Sequence, residues 1–181
     1  MPDLFPLSAE EKKLTVRIAT EDEVIKKLLG KRFATVLIGP TTLDQKEPDQ
    51  VRLVAVGFYD YAKSKSIVAL VDFDTKRVHT AKEQPAQLQL GEEEMAEAEA
   101  LAAADQRARD FLQDRNMNPL TRLCSPKGAD QHDPPHRYAL VILRPASDER
   151  RSVVVDLTDR QVLDFLTPGN LLGSAGDREV S

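Results

Sequence analysis

The chain repeats itself. Val71–Ala81 reads VDFDTKRVHTA, and 84 positions on Val155–Phe165 reads VDLTDRQVLDF. An offset kept over a whole strand, turn and strand restricts the fold to architectures that use one supersecondary unit twice. Sliding the sequence by 84 aligns Val51–Asp74 with Pro135–Thr158 without a gap. Val54-Ala55-Val56 then falls on Tyr138-Ala139-Leu140, and Ala69-Leu70-Val71-Asp72 on Val153-Val154-Val155-Asp156. Upstream the likeness continues with small shifts: Leu7–Glu11 matches Leu90–Glu94, and Arg32–Pro40 matches Asn116–Pro126.

Each copy reads as a helix followed by strands. Ser8 and Glu11 form a capping box, with Leu14, Ile18, Ile25, Leu28 and Leu29 at helical spacing and Gly30 as a stop. A second box, Thr20 to Glu23, predicts a break near Thr20. In the second copy Glu92, Glu93 and Glu94 favour a helix start, and Met95, Ala98, Leu101, Ala108, Phe111 and Leu112 form the inward stripe. Strands are expected at Phe33–Ile38, Arg52–Tyr61, Ser66–Phe73 and Arg77–Ala81. Their counterparts are Leu120–Cys124, Arg137–Arg144, Arg151–Leu157 and Gln161–Phe165. The fold class is α+β: two tandem units, each a helix on a four-stranded antiparallel sheet. The first spans residues 1–85 and the second 86–166, with 167–181 as a disordered tail.

Charge excludes some function classes. Lys+Arg (25) and Asp+Glu (30) nearly balance at a net −5, so no basic face for nucleic acid is expected. No apolar run reaches membrane-spanning length. The start, MPDLFPLSAEEKK, lacks the basic and apolar regions of a signal peptide, and Cys124 is the single cysteine. These features lean towards a cytoplasmic protein.

The order of elements resembles a known arrangement. A PLSAEE helix (Pro6–Glu11), an ALVDFDTKRV hairpin (Ala69–Val78) and a GEEE helix start (Gly91–Glu94) come first. An NPLTRLCSPKG segment (Asn118–Gly128) and a VVVDLTDRQVLDF hairpin (Val153–Phe165) follow. Together, from Leu7 to Leu166, they resemble the two small non-catalytic domains that precede the catalytic domain of copper amine oxidases. The resemblance implies cystatin-like units in tandem. It carries over no active-site residue. That family needs a quinone-forming Tyr in an Asn-Tyr setting and a His-x-His pair for copper. Here Asn116, Asn118 and Asn170 are not followed by Tyr, and His79, His132 and His136 contain no His-x-His. A chain of 181 residues also has no room for the family's catalytic β-sandwich.

Other candidate chemistry has a plainer reading. His132 and His136 have a metal-like spacing of four, but Pro134-Pro135 between them excludes the helix that would make both side chains converge. They are at most an adventitious zinc or copper pair, with Asp130 or Asp133 as a third ligand, so no metal or cofactor is expected. Asp72, Asp74, Asp156 and Asp159 read as hairpin-turn residues in preference to paired acid–base carboxylates. Gln87–Gly91 resembles the Gln-x-Val-x-Gly loop of cystatin inhibitors, but Gln89 replaces the Val and Gly91 reads as a helix N-cap. Cys124, ending a strand, reads as half-buried and inert. Tyr59 and Tyr61 read as packing residues.

The expected function is therefore non-catalytic. Tandem domains would bind a protein partner, or form a homodimer, through a sheet face. The alternatives are an accessory or severed segment of an amine-oxidase-like enzyme and, third, a cystatin-like inhibitor.

Overall fold

The computed structural model describes residues 6–41, 53–85, 87–112, 119–126, 135–143 and 151–166. His132, Asp130, Asp133 and the tail 167–181 lie outside the described residues, as do the side chains of Phe111 and Leu112.

Helix α1 (Ala9–Glu21) starts where the capping box places it. Ser8 Oγ accepts from the Glu11 amide (3.2 Å), and the Ser8 amide donates to Glu11 Oε2 (2.8 Å). The break comes two residues later than expected, at Asp22. Its extended backbone and Oδ1, accepting from the Val24 (2.8 Å) and Ile25 (3.3 Å) amides, start α2 (Glu23–Leu28). A carboxylate both satisfies these orphan donors and meets the positive helix end. The Thr20 hydroxyl instead turns back to the Val16 carbonyl (2.9 Å).

The second copy repeats this device, which its sequence pattern had not revealed. Helices α3 (Glu92–Ala104) and α4 (Gln106–Leu112) part at Asp105, whose Oδ1 accepts from the Arg107 amide (2.9 Å). The Asp22 amide donates to the Ala19 carbonyl at 3.2 Å, as Asp105 does to Ala102.

The strands are β1 (Phe33–Thr41), β2 (Leu53–Asp60), β3 (Lys65–Asp72) and β4 (Arg77–Gln84), then β5 (Leu120–Cys124), β6 (Tyr138–Leu143), β7 (Arg151–Asp156) and β8 (Gln161–Leu166). They form two four-stranded antiparallel sheets ordered β1-β2-β3-β4 and β5-β6-β7-β8. The fold is α+β. The chain divides into two compact units, Met1–Glu93 and Glu94–Ser181.

Register corrects the gapless alignment by one residue. Val54 faces Val71 in the first sheet, whereas Val155 faces Ala139, not Tyr138, in the second. Val54, Val56 and Phe58 therefore correspond to Ala139, Val141 and Leu143. Side chains alternate between sheet faces, so a one-residue slip exchanges the faces completely. The corrected match keeps buried apolar residues on the helix side of both sheets.

In the first unit that side is an apolar core. Ala19 and Ile25 meet Val56, Phe58, Ile67, Ala69 and Val71, with Val16, Ile18, Leu28, Leu29, Val78 and Ala81 around them. Thr15 and Ala19 are the buried positions of α1, and Leu14 lies outside this cluster. Small side chains let the helix sit close to the sheet. The second unit buries Ala98, Ala102, Ala139, Val141, Val153 and Val155. Val71 and Val155, the paired positions of the repeat, are both wholly buried.

The opposite face of the first sheet is partly covered by the chain's own residues 87–91. The Leu88 amide donates to Ser66 Oγ (3.3 Å). Leu88 also fills the notch left by Gly57, where a Cβ would come within 2.8 Å of Leu88 Cδ1. Gly91 presses on β1 so closely that any Cβ would collide with the Thr35 carbonyl. The segment is a strap from β4 to α3, packed on its own sheet.

Candidate functional site

The repeated hairpin is first a turn. Asp72 Oδ1 accepts from the Asp74 and Thr75 amides (3.0 Å each), and Asp156 Oδ1 accepts from Thr158 (2.8 Å) and Asp159 (3.1 Å). Each turn ends on a left-handed residue, Lys76 or Arg160, both at φ 57°. Each is followed by a bulge, at His79 or Leu163, where the register steps opposite Leu70–Val71 or Val154–Val155. The aspartate bonds of the Thr75 and Asp74 backbone and the Thr75 side chain hold the Asp72 carboxyl below its ordinary range.

The second turn carries more than the first. Asp156 is almost wholly buried, and its other oxygen, Oδ2, lies 2.7 Å from His136 Nδ1. Asp159 Oδ2 lies 3.8 Å from the same nitrogen. His136 is about half-way between buried and open, and Asp159 faces solvent. One ligand atom from each of His136, Asp156 and Asp159 falls within 4.8 Å of the others. Among the described residues the partners of His136 are thus Asp156 and Asp159, while Asp130 and Asp133 lie outside those residues. Register supplies the missing signal: Tyr138 pairs with Asp156, so a residue just before Tyr138 and one just after Asp156 meet at one sheet end.

A row of polar groups runs from there across the strands. Cys124, Tyr138 and Asp156 are cross-strand neighbours. Burial, with smaller contributions from the Asp156 and Asp159 charges, pushes the Tyr138 phenol up. Burial also pushes the Cys124 thiol up to about 11, against a weaker opposing effect of Arg122. A thiol so held is a poor nucleophile at neutral pH.

Sequence reasoning missed a buried ion pair. Arg137 Nε donates to Glu94 Oε1 (2.6 Å) and Nη2 to Oε2 (2.8 Å), with both side chains almost fully enclosed. The sequence places Glu94 at the helix start for its charge; in the structure it points inward to a fork-shaped partner. Nearby, Glu99 accepts from the Thr121 hydroxyl (2.7 Å) and Glu97 pairs with Arg160 (2.6 Å). These contacts join α3 and its sheet.

The remaining candidates are structural in their surroundings. Tyr59 and Tyr61 are buried, their rings edge to face at 5.2 Å, with the Arg32 guanidinium 4.1 Å from the Tyr61 ring centroid. His79 is exposed on β4. Gln87–Gly91, packed as the strap, joins a strand to a helix and not two strands. Among the described residues no helix is long and apolar enough to cross a membrane. Comparison with protein-family models and with curated proteins finds no match.

Proposed function

We propose that this chain is a non-catalytic tandem of cystatin-like units, similar to the domains that precede the catalytic domain of copper amine oxidases, and that it works by binding protein through a sheet face. One observation carries the reading. On the face of the first sheet turned away from the helix, Leu37 is exposed at 42%, and Ala55, Val68 and Leu70 are half-exposed. Leu37 and Val68 flank Gly57, and Ala55 pairs with Leu70, so these side chains form neighbouring rows. Leu88 of the strap lies over Gly57, between Leu37 and Val68. Apolar rows of this kind mark interaction surfaces more often than solvated ones. The polar side chains placed by the repeat, Asp22, Asp105, Asp72 and Asp156, are engaged with backbone amides. That is architecture, in keeping with a binding module.

The test is a photo-crosslinking residue in place of Val68, in the full chain in its native cell. A discrete adduct with one protein, or with a second copy of this chain, is expected. The same group at exposed Lys13 on α1, on the other side of the unit, serves as the background. No adduct above that background, together with a monomer by light scattering at every concentration, would overturn the reading.

A further inference from the structure

We propose that His136, Asp156 and Asp159 form a binding site for one divalent transition-metal ion, zinc being the probe of choice. The two copies of the hairpin supply the argument. The first closes with one carboxylate, Asp72, and the second closes in the same way with Asp156 Oδ1. Turn closure therefore requires neither His136 nor Asp159. Carried on along the sequence from the Val54–Ala139 and Asp72–Asp156 matches, their counterparts in the first copy are Val51 and Thr75. The second copy differs by adding an imidazole and a second carboxylate at one point.

The geometry suits a cation. Ligand atoms about 2.0 Å from a tetrahedral zinc stand ~3.3 Å from one another. The present separations from His136 Nδ1, 2.7 Å to Asp156 Oδ2 and 3.8 Å to Asp159 Oδ2, lie on either side of that value. Small rotations of the His136 and Asp159 side chains reach it. Asp156 is fixed by the turn through Oδ1, so Oδ2, held beside His136 Nδ1, is already aimed and little order remains to be imposed. Exposed Asp159 gives the entry path. One imidazole nitrogen with two carboxylate oxygens matches zinc and its divalent neighbours better than soft monovalent copper. On binding, the metal takes the place between Nδ1 and Asp156 Oδ2, and the neutral imidazole keeps its single proton on Nε2.

The experiment is zinc titration of the chelator-stripped full-length protein against a chromophoric competitor. One saturable equivalent is expected. His136→Gln and Asp159→Thr should each weaken it tenfold or more. Asp159→Thr reproduces the residue of the first hairpin, so without zinc it should melt as the parent does, which separates ligand loss from misfolding. Asp74→Asn, in the first hairpin, should change nothing. Absence of saturable binding overturns the proposal. So does binding that survives Asp159→Thr, or that is lost in His132→Ala while Asp159→Thr keeps it, since either result makes the ion adventitious.

Discussion

The two units use the same backbone devices and differ in how the helix is held. Both break the helix at an aspartate, Asp22 or Asp105, and both close the last hairpin through Asp72 or Asp156, a left-handed residue and a bulge. In the first unit α1 and α2 meet the sheet through Ala19, Ile25 and the residues around them, while Glu11 stays at the surface in its capping box. In the second, the matching Glu94 is buried against Arg137, and Glu97 and Glu99 add further polar contacts. The difference teaches that a repeated fold is specified by its turns and breaks, and that the helix–sheet contact is free to change chemistry. An apolar contact is non-directional, whereas the Arg137 fork fixes the position of α3.

The largest predicted effect tests what is shared. Val71→Asp and Val155→Asp each place an unpaired charge in a closed apolar site and should each cost more than about 4 kcal/mol in denaturant unfolding. If one is tolerated, the two positions are not equivalent. The next tests what differs. Glu94→Ala should cost about 3–5 kcal/mol, because it strands a buried guanidinium. Glu11→Ala, which loses only a surface cap, should cost about 1 kcal/mol. The double change Glu94→Leu with Arg137→Met should recover most of the loss. Equal costs for the two glutamates would erase the contrast.

Smaller effects refine the picture. Lys76→Gly relieves left-handed strain and should gain about 1 kcal/mol. Arg160→Gly should gain less, since it also gives up the Glu97 pair. Thermal melts of both variants check the order. Acid should weaken one shared and one unshared contact alike. The Asp72 carboxyl is held low by the Thr75 and Asp74 bonds, and Asp105 chiefly by the Arg107 side chain. A folded pKa below the unfolded one gives stability present above about pH 4 and lost as pH falls through the lowered value. Carboxyl NMR titration should find both below the ordinary range. The smallest effect is at Cys124. With its thiol at about 11, stability is present below the unfolded thiol value and declines as pH rises through about 11. Alkylation at pH 8 should be on the order of a hundredfold slower than in the unfolded chain.

Element order and the hairpin echo were legible because turn chemistry is local: an Asp bonding amides two and three residues on leaves a mark in consecutive residues. The capping box at Ser8 was legible for the same reason. The break at Asp22, not Thr20, was decided by which side chain reached the amides at the helix start, and spacing does not show that. The one-residue slip of β6 was hidden because Tyr138-Ala139-Leu140 and the residues beyond are apolar on both faces, so either register satisfies the hydrophobic pattern. Glu94–Arg137 and His136–Asp156 join residues 43 and 20 positions apart. Such pairs become visible only when the register is known.

The register is therefore the central claim, and cross-strand proton contacts in the NMR spectrum of the intact protein test it most directly. The account predicts close contacts for Val56 with Ala69 and for Val141 with Val153, with the bulges opposite Val71 and Val155 in both sheets. Contacts of Leu140 with Val153 and of Tyr138 with Val155, as the gapless repeat would require, would contradict it.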